Sequence, residues 1–166
     1  MEPDPNRRQL IVLFATAAVL VVADQVTKAL VIGNVALGER IAVVGDLVQV
    51  WHVRNNGAAF SLFQGETLLF FVVSVVALVM IAYFHRTLRE RSAWVQVLLG
   101  VVLGGTLGNL VDRLRFGYVT DFISVGLDGL RWPTFNIADS SIVVGIVMLV
   151  GYLTIADRHA REEARA

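Results

Sequence analysis

The stretch that decides the fold reads GGTLGNLVDR from Gly104 to Arg113, continues as LRFGYVTDF to Phe122, and resumes as FNIAD from Phe135 to Asp139. Carboxylates and amides stand here at the ends of segments apolar enough to lie in lipid: Asn109, Asp112, Asp121, Asn136 and Asp139. Polar groups at such a depth are costly and usually mark function. The stretch therefore predicts a polar site held between membrane helices.

The composition narrows the class of protein. Of the 166 residues, 56% are hydrophobic and 17% are charged, which indicates one small integral membrane domain over residues 1–166. The absence of cysteine excludes thiolate catalysis and a Cys-type zinc site, and the three histidines are too far apart for a histidine metal site. The net charge of zero gives no reason to expect a nucleic-acid partner.

Apolar runs predict four transmembrane helices, at about residues 10–32, 67–84, 93–111 and 136–156. The first run follows Arg7 and Arg8 and so also resembles a secretory signal peptide. Because its helical pattern continues through Lys28, we expect it to be retained as a membrane helix. The short flanking segments hold eight Lys and Arg residues and the two longer loops hold five, which predicts cytoplasmic termini and polar motifs toward the outer face.

Residues 39–54 alternate around Gly45 and Asp46, a pattern typical of a small hairpin or curved sheet, and Trp51 suits the headgroup zone. Asn55, Asn56 and Gly57 then break the strand. A plain turn explains these three residues, since Asn and Gly tolerate positive φ. The alternative is that Asn55 points its amide into a polar site.

Two helices carry polar faces. Asp24 and Lys28 are four residues apart and can pair, either as a snorkelling pair near the outer interface or as a group that orients polar residues of other helices. Asn109, Asp112 and Arg113 share one face of the third span, and we expect Asp112 and Arg113 to form a bracing ion pair. Glycines at four-residue spacing on that span form a ridge that lets another helix approach; they are Gly100, Gly104 and Gly108.

A four-helix bundle can bring Asp121 and Asp139 together near the outer interface. Two adjacent carboxylates cannot both ionise easily, so such a pair shares a proton and can act as general acid and general base toward an amide carbonyl and an attacking water. We hypothesise that Asp139 is the base and Asp121 the acid, with no metal or cofactor. Helix capping alone also explains an aspartate in the position of Asp139.

Five motifs, in this order, resemble those of the lipoprotein signal peptidases, also called signal peptidase II: DQVTK (Asp24–Lys28), NNGAAF (Asn55–Phe60), GGTLGNLVDR, VTDF (Val119–Phe122) and FNIADSSI (Phe135–Ile142). The resemblance implies an all-α membrane protein of four transmembrane helices, with a small extracytoplasmic β-sheet and an interfacial helix, here near Gly57 to Gln64. It implies an aspartyl peptidase of the bacterial plasma membrane that cuts prolipoproteins before the diacylglyceryl-modified cysteine.

The resemblance also implies the site. The dyad falls on Asp121 and Asp139, and supporting polar residues fall on Asp24, Asn55, Asn109, Asp112, Arg113 and Asn136. We add Lys28, which can pair with Asp24, and Gly57, which ends the NNG turn. Globomycin-type inhibitors are expected to bind, membrane lipid is an expected partner, and we expect a monomer. The loop from Ser124 to Pro133 carries little of the family pattern, and the resemblance assigns it no role.

Two other classes fit the same carboxylates. A metal-dependent lipid phosphotransferase would use Asp24, Asp112, Asp121 and Asp139 to hold magnesium and would lose activity with a chelator. A small proton-coupled transporter would use them as a proton relay and would show no proteolysis. The repeated halves and broken helices common in transporters are not visible in the sequence.

Overall fold

The computed structural model describes residues 5–57, 67–88, 92–127 and 130–163. In chain order its elements are α1 (Pro5–Asn34), β1 (Arg40–Val44), β2 (Val48–Asn55), α2 (Thr67–Leu88), α3 (Ala93–Phe116), β3 (Val119–Leu127), β4 (Leu130–Arg131) and α4 (Ile137–Glu163). All four helices are long and apolar enough to cross a membrane. The expected fold class, four membrane helices with a small sheet, is confirmed.

Helix α3 forms the centre of the bundle. In the most apolar 18-residue stretch of α3, 67% of the residues are buried. In the corresponding stretches of the other three helices the buried share is 11–17%. Buried apolar side chains join α3 to α1 and α2 in one core, which includes Leu13, Ala17, Ile81, Leu99 and Leu103. The outward faces of α1, α2 and α4 are rich in exposed Val, Leu, Ile and Phe, as expected of surfaces that contact lipid.

Glycines allow α3 to approach its neighbours closely. A Cβ atom added at Gly100 would lie 2.6 Å from the carbonyl oxygen of Leu13, and one at Gly104 would lie 2.6 Å from the Cβ of Leu20. At Gly108 it would lie 2.6 Å from Oδ2 of Asp24. The predicted glycine ridge therefore faces α1, and it holds the polar end of α1 against α3.

The sheet is antiparallel in the order β1-β2-β3-β4, and the predicted hairpin over residues 39–54 is its first half. The segment between the third and fourth predicted helices, from which no strand was expected, contains the long strand β3 (Val119–Leu127), in which Asp121 lies opposite Val53 of β2. The first four residues of β3 are all buried, so both faces are covered and the strand lacks the alternation that identifies a half-exposed strand.

A second buried cluster fixes the sheet to the bundle. Phe122 of β3 packs with Val31 of α1 and with Val35, which directly follows that helix, and Ile137 at the start of α4 packs against the same cluster. The strand that carries Asp121 is thereby held beside the helix that carries Asp139. The interfacial helix expected near residues 57–64 falls, apart from Gly57, outside the described residues.

Candidate active site

Asp139 lies in the first turn of α4, and Asn136 precedes that helix as its cap. The backbone N–H of Asp139 donates to Oδ1 of Asn136 (2.9 Å), while the backbone N–H of Asn136 donates to Oδ2 of Asp139 (3.2 Å). This reciprocal arrangement is a capping box, in which each side chain satisfies a backbone donor of the helix start. Capping therefore occupies one carboxylate oxygen of Asp139 and holds it in place.

The other oxygen of Asp139 is bound by α3. Asn109 donates from Nδ2 to Oδ1 of Asp139 at 2.7 Å. The amide oxygen of Asn109 accepts hydrogen bonds from Nδ2 of Asn136 at 3.1 Å and from Nζ of Lys28 at 3.1 Å. Because both of these partners are donors, they fix which way the Asn109 amide faces, and its NH2 group must point toward Asp139.

Two side-chain amides donate hydrogen bonds to the carboxylate of Asp121, one to each oxygen. Asn136 donates from Nδ2 to its Oδ1 at 2.7 Å, and Asn55 donates from Nδ2 to its Oδ2 at 2.7 Å. Asn136 thus contacts both aspartates, one through its side chain and the other through its backbone. Both interpretations of the NNG segment therefore hold, because Oδ1 of Asn55 accepts from the backbone N–H of Gly57 in a local turn (2.9 Å) while its amide nitrogen points into the polar site.

The environment of Asp121 favours its protonated form. Its exposed fraction is 1%, and burial, followed by repulsion from Asp139, raises the pKa of Asp121 to about 7. The hydrogen bonds from Asn55 and Asn136 oppose this shift but do not cancel it. A carboxyl group with such a pKa can still hold a proton near neutral pH and give it to a substrate.

A buried lysine organises the polar end of the bundle. Lys28 Nζ lies 2.9 Å from Oδ2 of Asp24 and 3.0 Å from Oδ2 of Asp112, and all three side chains are almost completely buried. The predicted pairing of Asp24 with Lys28 is confirmed, and the pair is an orienting group, not a snorkelling one. Asp24 also accepts a hydrogen bond from the backbone N–H of Ala138 (3.0 Å), in the first turn of α4.

The expected ion pair between Asp112 and Arg113 was wrong, since in the described chain Asp112 pairs with Lys28 instead. Consecutive residues on a helix point in directions about 100° apart, so Asp112 faces α1 while Arg113 faces elsewhere. The Arg113 guanidinium lies 5.1 Å from the ring centre of Phe70 of α2. Its Nη1 lies 3.4 Å from the backbone carbonyl oxygen of Asn109 in the preceding turn.

Two partners of Asp112 were missed by sequence reasoning. Gln25 donates from Nε2 to Oδ1 of Asp112 at 2.8 Å, and the backbone N–H of Thr120 donates to Oδ2 at 3.0 Å. Gln25 lies within the DQVTK motif, so its position next to Asp24 was an available signal. A backbone donor such as that of Thr120 leaves no mark on the residue type, and only the fold reveals it.

Asp139 opens onto a cleft of about 610 Å³. The polar wall of the cleft includes Asn55, Gly57, Arg113 and Ser140. The apolar wall is formed by residues of α4 and of the segment before it: Trp132, Pro133, Phe135, Ile142, Val143 and Val144. Asp139 is partly exposed to this cleft, whereas Asp121 is buried beside it. The cleft can therefore admit an apolar chain next to a carboxylate that has access to water.

Comparison with known proteins agrees with these features. The family model described as Signal peptidase (SPase) II matches residues 16–155. A lipoprotein signal peptidase of Enterococcus faecalis is 39% identical over 155 residues, which are 93% of this chain and 95% of that protein. A lipoprotein signal peptidase of Rhodococcus jostii is 43% identical, over 90% of this chain and 75% of its own.

The fold is also found in solved structures. A bacterial membrane enzyme solved by the in meso method at 2.3 Å resolution superposes with a TM-score of 0.76 at 31% identity, covering 86% of this chain and 87% of that chain. A second structure of this description, at 1.9 Å resolution, gives a TM-score of 0.73 at 32% identity, over 85% of this chain and 91% of its own. With the motif order and the family match, these likenesses show that the chain belongs to the signal peptidase II family.

Proposed function

We propose that this protein removes signal peptides from diacylglyceryl-modified prolipoproteins by aspartic catalysis, cutting before the lipidated cysteine. The family supports a peptidase that acts on prolipoproteins. The observation that carries the aspartic mechanism is the convergence of Asp121 and Asp139 on one residue, Asn136, at the edge of an apolar cleft.

The two carboxyl groups have unequal surroundings that suit different roles. Asp139 faces the cleft, lies at the positive end of a helix dipole and accepts hydrogen bonds from Asn109 and Asn136, so it is placed to act as base. Asp121 is buried, with a pKa raised to about 7 by burial and by Asp139, and is placed to act as acid.

The proton balance of the reaction follows from these roles. A water between the pair and the substrate attacks the scissile carbonyl carbon while Asp139 takes its proton and protonated Asp121 donates to the carbonyl oxygen. Collapse of the tetrahedral intermediate breaks the C–N bond. The proton held by Asp139 goes to the leaving nitrogen, and the hydroxyl proton of the intermediate returns to Asp121. The pair thus ends the cycle with the single proton with which it began.

The substrate explains the depth of the site. A diacylglyceryl group and an apolar signal helix both partition into lipid, so the bond between them lies at the bilayer edge. Asp112 and Asp139 lie near the ends of α3 and α4 on one side of the bundle, with Asp24 of α1 close to them, and Arg86, Arg158 and Arg161 lie at the other end. The arginines favour cytoplasmic termini, which would put the dyad at the outer face.

The groups that already bind Asp24 and Asp112 argue against the alternative function of a metal-dependent lipid phosphotransferase. A magnesium site would need Asp24 and Asp112 to offer free oxygens, whereas Lys28 binds Oδ2 of both. Their remaining oxygens accept from the Ala138 N–H and from Gln25. An ammonium group already occupies the position at which these two carboxylates could share a cation.

Cleavage of a purified lipidated prolipoprotein tests the proposal. Asp121→Asn and Asp139→Asn each keep the size of the side chain but remove its acidity, so each should lower the rate at least about 100-fold. The matched control is Asp157→Asn, which makes the same change on the exposed opposite end of α4. The wild-type rate should not change when a chelator is added.

The cleavage position needs a separate readout. The mass of the lipidated product should correspond to a chain that begins with the modified cysteine, and a substrate whose cysteine is replaced by serine should remain intact. Near-normal cleavage by either aspartate variant would refute the dyad. A product cut elsewhere would refute the cleavage position while leaving the dyad in place.

A further inference from the structure

A second cavity lies near the other end of the bundle, away from the carboxylates. It has a volume of about 480 Å³ and lies between α1 and α2, with Leu10 and Phe14 on one side, Leu78, Ala82 and Arg86 on the other, and Leu103 of α3 beneath. In the described chain α1 and α2 make almost no direct contact, because both pack on α3. We call this cavity the α1–α2 groove.

One end of the groove is polar, because His85 and Arg86 line it there. His85, which lines it, has Nδ1 2.6 Å from Oε1 of Gln96 on α3. Gln96 itself is fully buried and lies behind His85, outside the lining of the groove. The second ring nitrogen of His85 can hydrogen-bond a hydroxyl or phosphate oxygen of a molecule bound in the groove.

The charge of this end is positive. Arg86 lines the groove, Arg7 and Arg8 are exposed on the first turn of α1 next to the lining residue Asn6, and no carboxylate is among the described lining residues. Farther along, the walls are apolar over about one helical turn, which is about 6 Å from residue 78 to residue 82 of α2. A cationic, hydrogen-bonding end followed by an apolar channel complements a molecule with an anionic head and a hydrocarbon tail.

We propose that the α1–α2 groove binds one anionic phospholipid, with the phosphate beside Arg86 and an acyl chain between the apolar side chains of α1 and α2. Basic pockets between membrane helices bind such headgroups on the cytoplasmic side. The leaflet follows from the proposed orientation of the chain, but the lipid site itself does not depend on the peptidase activity. The lipid would fill the space that α1 and α2 leave between them.

Lipid retention by the full-length protein tests this proposal. The protein is reconstituted in nanodiscs with equal amounts of phosphatidylglycerol and phosphatidylethanolamine and is then released into mild detergent. Native mass spectrometry measures the mass of the protein together with the lipids that it retains. We expect one retained phosphatidylglycerol per chain, in preference to phosphatidylethanolamine. Arg86→Gln should lower that preference about fivefold, the effect of one arginine near a lipid phosphate.

Two further variants separate the groove from general surface charge. Ala82→Trp fills the groove from an exposed position and should abolish retention of both lipids, while leaving the fold intact. Arg158→Gln removes an exposed arginine from the last turns of α4, outside the groove, and should behave as the wild type. Equal retention of the two lipids by the wild type, unchanged retention by Ala82→Trp, or equal effects of the two arginine variants would overturn the proposal.

Discussion

The side-chain amide of Asn136 lies 2.7 Å from a carboxylate oxygen of Asp121, across the junction between a helix cap and a strand. The backbone N–H of the same residue donates to Asp139. One capping residue therefore sets the position of both carboxyl groups relative to each other. Since a helix cap is fixed by backbone geometry, the two acids are held in place before any substrate arrives.

The pH dependence of cleavage should show the state of Asp121. Because the proposed acid must carry a proton and its pKa is raised to about 7, activity should be present below this value and lost as the pH rises through it. Above the pKa, kcat/KM should fall about tenfold per pH unit. Rates measured from about pH 5 to about pH 9 on one lipidated substrate check this prediction.

Asn55→Ala tests the same assignment, because it should shift the pH at which activity is lost in a known direction. The hydrogen bond from Asn55 lowers the pKa of Asp121, so its removal should raise that pKa further and move the loss of activity to higher pH. Asn34→Ala is the matched control, because the Asn34 side chain is exposed and donates a hydrogen bond to the carbonyl oxygen of Leu30 in its own helix. An alkaline limb that stays fixed in Asn55→Ala would contradict the assignment of the acid.

Lys28 should be needed for stability through its two carboxylates. Lys28→Met leaves Asp24 and Asp112 buried without their cation, a change that costs about 3–5 kcal/mol when one partner of a buried ion pair is removed. For a chain of this length the unfolding midpoint in detergent should then fall by at least about 6 °C. Thermal unfolding followed by circular dichroism checks this.

The double variant Lys28→Met with Asp112→Asn tests the physical cause. Removing one of the two stranded charges should recover part of the lost stability, because the remaining carboxylate has no like charge beside it. If the double variant is no more stable than Lys28→Met, the loss comes from packing of the lysine stem and not from charge.

Close approach of α3 and α4 at Gly105 should be essential. A Cβ added there would overlap the carbonyl oxygen of Ala138 and lie 2.9 Å from Ile142, so Gly105→Ala should push apart the helices that carry Asn109 and Asp139. We expect a stability loss of about 1–3 kcal/mol and a larger fall in activity. Gly151→Ala is the control, since a Cβ there meets no atom within 4 Å.

The orientation of the chain can be measured by cysteine labelling, because the protein has no native cysteine. In intact cells Ala42→Cys, on the exposed strand β1, should react with a membrane-impermeant thiol reagent. Glu162→Cys, near the end of α4, should react only after the membrane is opened. The reverse pattern would place the termini outside and contradict the positive-inside assignment.

The amino-acid sequence alone was enough to predict the four membrane helices, the hairpin before Asn55, the glycine ridge on α3 and the pairing of Asp24 with Lys28. These features depend on hydrophobic run length, on two-residue alternation and on three- and four-residue helical spacing, which are local properties of the chain. The same rules failed for β3, which is buried on both faces and shows no alternation.

Only the tertiary structure decided which distant groups meet. Asp112 binds Lys28, Gln25 and the Thr120 N–H instead of its neighbour Arg113, and Asn136 joins a strand carboxylate to a helix carboxylate. Such pairings depend on how α1, α3, α4 and β3 pack. They also use backbone donors, which every residue except proline has, so no residue type along the chain indicates them.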